Sequence, residues 1–309
     1  MKLLLTGASG FIGRHVLLGA PREWEIVAVY HRTRDLPAFV SGHGLKHVAP
    51  VACDLVDPDA VRTAAQRIGR VDAALHLAAN GDPAASAERV RWDLDHNTAA
   101  LVNVLEHCSI DRMVYMSSGA VYDGLRGPVT PASFVNPLLP YAISKLASER
   151  YVTFFAERRR ALGSYANVRF FGAYGPYEAS RKITTRWLRA FIAGERMFSV
   201  RGNGRNLIDF MYVDDAVDAL LRVVADRQFS GTLDLASGTP MTVDEVVAAM
   251  ARAVGVEIEI RHDGDVPEYI EFHSADATMQ RRFGFAPTTS FADGVRRLHD
   301  FFRHETARA

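Results

Sequence analysis

Tyr141 and Lys145 stand four residues apart in the stretch YAISK, a spacing that puts both side chains on one face of a helix. A phenol with an ordinary pKa near ~10 is a poor proton donor or acceptor at neutral pH. An ammonium beside it favours the phenolate, and a downward shift of about 3 units represents about 4 kcal/mol of preferential stabilisation. Upstream, MSSGAVY places two hydroxyls, Ser117 and Ser118, at the end of an apolar run. A serine there holds a substrate oxygen while the tyrosine exchanges a proton with it. A Tyr-x-x-x-Lys pair on its own reads as a surface pair, so its meaning rests on what else the chain carries.

The stretch TGASGFIG supplies Gly7, Gly10 and Gly13 directly after an apolar strand pattern and at the opening of a helix pattern. Gly7 permits a tight turn, Gly10 lets the backbone approach a pyrophosphate, and Gly13 lets helix and strand pack closely. The helix N-terminus then offers N–H groups and a partial positive charge to the phosphates. Ser9, Phe11 and Ile12 complete the expected contacts of this turn with a dinucleotide, whose nicotinamide carries a hydride. In VAVYHRTRD the position where an acid would hold the ribose hydroxyls of NAD is basic: His31, Arg32 and Arg34 all precede the first acid, Asp35. The planar fork of arginine suits a 2′-phosphate, so the expected cofactor is NADP, with NAD as the alternative. Asp54 and Leu55 of CDL follow the third strand pattern and face the adenine end, while Asp57 before Pro58 reads as a helix cap.

These residues need a scaffold, and the apolar pattern supplies one. Short runs rich in Val, Leu, Ile and aromatics at 2–6, 25–30, 47–51, 72–78, 112–117 and 165–171 read as strands. Helix patterns lie between them near 11–20, 57–68, 84–107 and 140–160. Strands alternating with helices imply an α/β fold: a Rossmann-type, doubly wound parallel sheet covered on both faces. Beyond 171 the rhythm loosens into a loop-like GAYGPYEASRK, a helix in RWLRAFIAGE, strands in DFMYV and TLDLA, and helices near 242–254 and 291–303. The expected division is a dinucleotide-binding domain over 1–171 with 205–240 returning to it, and a smaller C-terminal substrate-binding lobe over 172–204 and 241–309.

Bulk composition narrows the classes. Lys+Arg and Asp+Glu both total 36 in 309 residues, a balance that argues against a nucleic-acid tail or a polybasic membrane patch. Cys53 and Cys108 form no CxxC and no metal-ligand pattern, so no metal is expected and a reduced, cytoplasmic setting is. The opening apolar run is too short for a signal peptide, and no stretch approaches the roughly 20 apolar residues of a membrane span.

Taken in order, TGASGFIG, CDL, HLAA, Asn97, SSGAVY, YAISK, RFFGAYGP, DFMYVDDA and DLASGTPMTVDEV resemble the extended short-chain dehydrogenase/reductases, of the NAD-dependent epimerase/dehydratase kind that acts on nucleotide sugars. The resemblance implies Ser118, Tyr141 and Lys145 as the catalytic set, with Lys145 also holding the nicotinamide ribose. It implies that His76, Leu77, Ala78 and Ala79 form a wall beside the cofactor, with Phe171 a further contact. It implies a homodimer joined by a four-helix bundle from helices near 96–108 and 141–158. His76 itself reads as a satisfied core residue, and Met113, Met116, Phe154 and Phe155 read as packing.

The chain departs from the family pattern in two respects. Gly119 and Ala120 stand where related 4,6-dehydratases carry an Asp-Glu pair, which argues against dehydration. Gly172, Ile208 and the Pro267–Glu268 region lack the Asn and Arg residues that grip a nucleotide diphosphate in related epimerases. Arg181, Lys182, Arg186, Arg201 and Arg205 are other cations available for a phosphate. The expected activity is NADP-dependent reduction of a nucleotide-linked 4-keto-6-deoxy sugar, with Tyr141 as proton donor and a nucleoside-diphosphate sugar as substrate. The alternatives are an NAD-dependent nucleotide-sugar epimerase, a reductase of a carbonyl not linked to a nucleotide, and a non-catalytic dinucleotide-binding module.

Overall fold

The computed structural model describes residues 1–33, 35–264 and 270–306. Arg34, Pro267 and Glu268 lie outside the described residues. Seven strands form one parallel sheet: β1 (Lys2–Thr6), β2 (Glu25–Tyr30), β3 (Val48–Ala52), β4 (Val71–His76), β5 (Ile110–Ser118), then Ser164–Phe170 and Gly231–Leu235. Their spatial order runs Gly231–Leu235, Ser164–Phe170, β5, β4, β1, β2, β3, so the order reverses between β1 and β4. This is the doubly wound Rossmann arrangement, and ligands of such sheets settle beyond the strand ends at that reversal. The register sets Leu4 against Val27 on one side and Ala74 on the other. Leu3, Leu4 and Leu5 are almost wholly buried, which explains why β1 is a continuous apolar run rather than an alternating one.

Helices cover the sheet and complete its core. Leu101, Val104, Val152 and Phe155 pack with Val27, Ala74, Met113 and Tyr115. Met113, Met116 and Phe155 are therefore packing residues, but Phe154 is not: it is 47% exposed. Asp57 caps the Pro58–Ile68 helix by accepting the N–H groups of Asp59 and Ala60. The long helix expected over 84–107 is broken into Pro83–Glu88, Val90–Leu94, a wide π turn at Asp95–Ala99, and Ala100–His107. The break follows from buried polar side chains. Asn97 accepts the Asn80 N–H at 2.7 Å and donates to Asp93 at 2.8 Å, and burying these groups requires that each find a partner. Apolar periodicity carries no trace of that requirement.

The chain divides into two compact units. The first comprises Met1–Asp123, Phe134–Phe170 and Val217–Leu235, and it holds the whole sheet. The second comprises Gly124–Ser133, Phe171–Ala216 and Ala236–Ala309. The return to the sheet unit is thus shorter than 205–240, and a segment before residue 134 joins the second unit. The reason is pairing: Arg126–Val129 pairs with Glu271–Ser274, and Met211–Tyr212 pairs with Ala173–Tyr174, both inside the second unit. That unit also pairs Met197–Arg201 with Glu259–Asp263, and it packs the helices Ile183–Ile192, Val243–Val254 and Phe291–Thr306 together. Met211–Tyr212 falls within the strand expected in DFMYV, whereas Arg126–Val129, Ala173–Tyr174, Met197–Arg201, Glu259–Asp263 and Glu271–Ser274 were not legible as apolar runs.

The sheet unit contains a fully buried arginine. Arg112 on β5 donates to the Val223 carbonyl, the Phe229 carbonyl and the Ser164 hydroxyl, at 2.7–3.1 Å. It ties the returning segment to the sheet. Arg112→Ala strands those buried acceptors, so it is expected to lower unfolding free energy by about 3 kcal/mol, read from the midpoint of urea denaturation.

Candidate active site

The turn after β1 is built for close approach. Gly7 has φ +68°, and a Cβ there would sit 2.7 Å from the Ala78 nitrogen. A Cβ on Gly13 would sit 2.4 Å from the Gly7 carbonyl oxygen. Both positions exclude a side chain by contact with backbone, so the turn nests against the exit of β4. The Phe11–Gly19 helix starts at Gly10 with no side-chain cap and no acid in its first turn. Its N-terminal N–H groups and partial positive charge remain available to an anion.

A cleft of about 290 Å³ runs along this turn. Gly7, Ser9, Gly10, His31, Arg32, Asp54, Leu55, Leu77, Ala78 and Ala79 line it, together with Val29, Tyr30 and His96. Phe11, Ile12 and Gly13 form the helix start rather than the cleft wall. The glycine cradle and the uncapped helix fit a pyrophosphate, and the cleft beyond β2 and β3 fits an adenosine. At that end His31 and Asp54 approach to 3.6 Å, and Arg32 is exposed. Asp35 is engaged elsewhere. Arg14 donates to both of its carboxylate oxygens at 2.8 Å, donates to the Ser9 carbonyl at 3.0 Å, and stacks on Phe39. Sequence reasoning missed Arg14, although a cation in a helix's first turn opposes the dipole and calls for such partners.

The reactive side chains gather beyond β5. Ser118 ends that strand, and its oxygen accepts the Ala120 N–H at 3.1 Å, which starts the short Gly119–Tyr122 turn. The Pro140–Glu157 helix, opened by a proline at its first position, presents Tyr141 and Lys145 on one face. The Ser118 hydroxyl neighbours the Tyr141 phenol and favours its ionised form. Of the two serines, only Ser118 faces the phenol: Ser117 is buried and donates to Glu149 at 2.5 Å. Lys145 is 3% exposed and donates to the Met116 carbonyl at 2.8 Å. Its ammonium lies 5.1 Å from the Tyr115 ring centre and 5.8 Å from that of Tyr141.

The electrostatics differ from the sequence expectation. Burial pushes the Tyr141 phenol above its ordinary value, opposed by the Ser118 hydroxyl. Burial pulls Lys145 down to about 8, opposed by the carboxylates of Asp93 and Glu149. The ammonium therefore does not acidify the phenol as expected, because desolvation acts on both groups and outweighs their pairing.

His76 also departs from expectation. It is buried on β4, but among the described residues neither ring nitrogen has a hydrogen-bond partner, so it is not a satisfied core residue. Burial, then the nearby Lys145 charge, pull it to about 3, so it is neutral across the physiological range. Beneath the site, Arg169 grips both oxygens of Glu149 at 2.9–3.0 Å in a pair almost closed to solvent. This pair escaped sequence reasoning because Glu149 reads as one more polar position on a helix.

Phe171 belongs to the second unit, where its ring meets Phe272. Gly172 and Ile208 also lie in the second unit. A Cβ on Gly172 would come within 3.2 Å of the Phe210 Cβ, and Ile208 pairs with Met241 in a two-residue strand. Arg181, Lys182, Arg186, Arg201 and Arg205 are exposed in that unit.

Comparison with known proteins places this geometry. Residues 3–233 match the model of the NAD dependent epimerase/dehydratase family. The UDP-glucose 4-epimerase of Mycolicibacterium smegmatis is 27% identical, covering 99% of this chain and 100% of that protein. The dTDP-glucose 4,6-dehydratase of Streptomyces niveus is 25% identical, covering 99% and 94%. Among solved structures, MoeE5 in complex with UDP-glucose and NAD superposes with a TM-score of 0.85 at 28% identity, covering 99% of this chain and 100% of that one. A cleft shaped for a dinucleotide and a Ser-Tyr-Lys set on this scaffold thus have a common source: the chain is an enzyme of the extended short-chain dehydrogenase/reductase type and belongs to the NAD dependent epimerase/dehydratase family.

Proposed function

We propose that the protein is an NAD-dependent nucleotide-sugar epimerase, inverting a carbinol carbon of a nucleoside-diphosphate sugar. One observation carries this reading: the Ser118–Tyr141–Lys145 set stands on a chain 28% identical, end to end, to a structure that holds UDP-glucose and NAD. Gly119 and Ala120 have no acid to protonate a leaving water, which separates the chain from its dehydratase relatives. A nicotinamide bound in the cleft supplies a reversible hydride acceptor. Ser118 holds the sugar hydroxyl, Tyr141 accepts its proton and returns it, and Lys145 stands beside the phenol, 5.8 Å from its ring centre.

The second reading is the NADP-dependent keto-sugar reductase. It is favoured by the exposed Arg32 at the cleft and by the absence of an acid at the end of β2. Against it stands Asp54, a carboxylate lining the same end of the cleft.

We also infer a homodimer. Val90, Leu94, Ile143, Tyr151 and Phe154 are each 44–55% exposed on two helical segments of the sheet unit, an apolar face that a second copy would cover.

Four sets of measurements test these statements. Denaturing the purified protein is expected to release close to one NAD per chain, and incubation with UDP-glucose to yield its 4-epimer. Release of NADP, or a site that takes up only added NADPH, supports the reductase instead. Tyr141→Phe is expected to reduce kcat by roughly 10²–10⁴-fold. The Lys145–Tyr141 pair must lack one proton to accept another from the alcohol, and its first proton leaves at about pH 8. Therefore kcat/KM for the sugar is expected to rise with pH through about 8 and then level. Tyr151→Glu with Phe154→Glu is expected to convert a dimer of 34.1 kDa chains to monomer in light scattering.

A further inference from the structure

We propose that Asp93 is a positioning residue that sets the charge state of the Lys145–Tyr141 pair, through a buried negative charge on an element packed against their helix. The inference rests on the roles given above to that pair. Asp93 is wholly buried. Its Oδ1 accepts the side-chain amides of Asn80 at 2.7 Å and Asn97 at 2.8 Å. Its Oδ2 is buried with no hydrogen-bond partner, and no ion pair reaches the carboxylate among the described residues. A buried lone carboxylate is costly unless positive charge lies close by.

The packing brings that charge into range. Thr98, one turn beyond Asp93, donates to the Ser144 carbonyl at 3.1 Å, and Ser148 donates to the Asn97 carbonyl at 3.1 Å. The wide turn at Asp95–Ala99 is thereby locked to the helix that carries Tyr141 and Lys145.

The groups facing Lys145 from each element leave Asp93 as the decisive one. From β4 comes His76, neutral at working pH. From β5 come the Tyr115 ring and the Met116 carbonyl. From its own helix come Tyr141 and Glu149. Glu149 is already neutralised by the two-pronged grip of Arg169 from the neighbouring strand. Asp93 is the carboxylate whose charge nothing else offsets, and it acts on three groups at once. It holds the proton on Lys145, and it opposes ionisation of Tyr141 and Tyr115.

Asp93→Asn tests this. It keeps an oxygen for both amides and places its NH₂ where Oδ2 has no donor. Removing a negative charge weakens the hold on every nearby proton, so both ionisations of the pair move down. The rising limb of kcat/KM is expected to shift to lower pH by about one unit, which is about tenfold more of the productive form at pH values below the limb. A readout without substrate or cofactor accompanies it: phenolate absorbance near ~295 nm, taken as the difference between each protein and its Tyr141→Phe counterpart, isolates the Tyr141 titration. That curve is expected to shift in the same direction, and it stands whichever sugar chemistry the enzyme performs. Asp93→Glu keeps the charge and is expected to leave the limb in place even where turnover falls. If Asp93→Asn does not fold, Asp93→Ser removes the charge with less bulk and must produce the same displacement. An unmoved limb and an unmoved phenolate curve, with only the height of activity changed, would assign Asp93 a purely structural role and overturn the proposal.

Discussion

Keeping an ammonium inside a folded protein is the constraint around which the rest of this site is arranged. Lys145 has almost no contact with solvent, and desolvation alone would strip its proton in the neutral range. The fold answers with a carbonyl from β5, aromatic faces from Tyr115 and Tyr141, and carboxylates from two sides. These groups arrive from β5, from the lysine's own helix and from the Val90–Leu94 segment, so the sheet, the helix and the broken helix must all be in register for the lysine to remain charged. The shared penalty of burial explains why the phenol and the ammonium do not simply acidify and stabilise one another. Both lose water, and the balance between them is left to neighbouring charges.

The second organising constraint is backbone contact. The glycine turn is pressed against the exit of β4 at Gly7 and against the Phe11–Gly19 helix at Gly13, so closely that a side chain is excluded at both positions. That contact fixes the uncapped helix end relative to the cleft, and the same cleft reaches the ends of β2 and β3. A rigid cradle of this kind places a dinucleotide without side-chain charges at the phosphates, because the helix terminus already supplies the field. At the far end of the cleft His31, Arg32 and Asp54 lie together, and Arg14 withdraws Asp35 from it.

Polar burial gives the site its rigidity. Glu149 and Arg169 satisfy one another deep under Ser117, and Ser117 is thereby turned away from the reacting centre. This frees Ser118, one residue on, to meet the phenol. The period-two geometry of a strand guarantees that adjacent serines face opposite ways, so one is buried against Glu149 and the other faces the phenol.

Much of this was legible without coordinates. Alternating strands and helices specified the parallel sheet, the glycine spacing with its flanking elements specified the cradle, and the four-residue interval of Tyr141 and Lys145 specified a shared helical face. These are local signals, carried by periodicity and steric demand within a dozen residues. What the chain written as letters did not reveal were the long-range choices. The break in the helix at Asn97, the solitary buried charge of Asp93, the unpartnered His76, the diversion of Asp35 to Arg14, and the exposure of Phe154 all depend on what arrives from elsewhere in the chain. Desolvation is the common reason. Whether a carboxylate is a solvated surface group or a buried charge governing its neighbours depends on how completely other segments exclude water from it, and that is decided only when the tertiary structure closes.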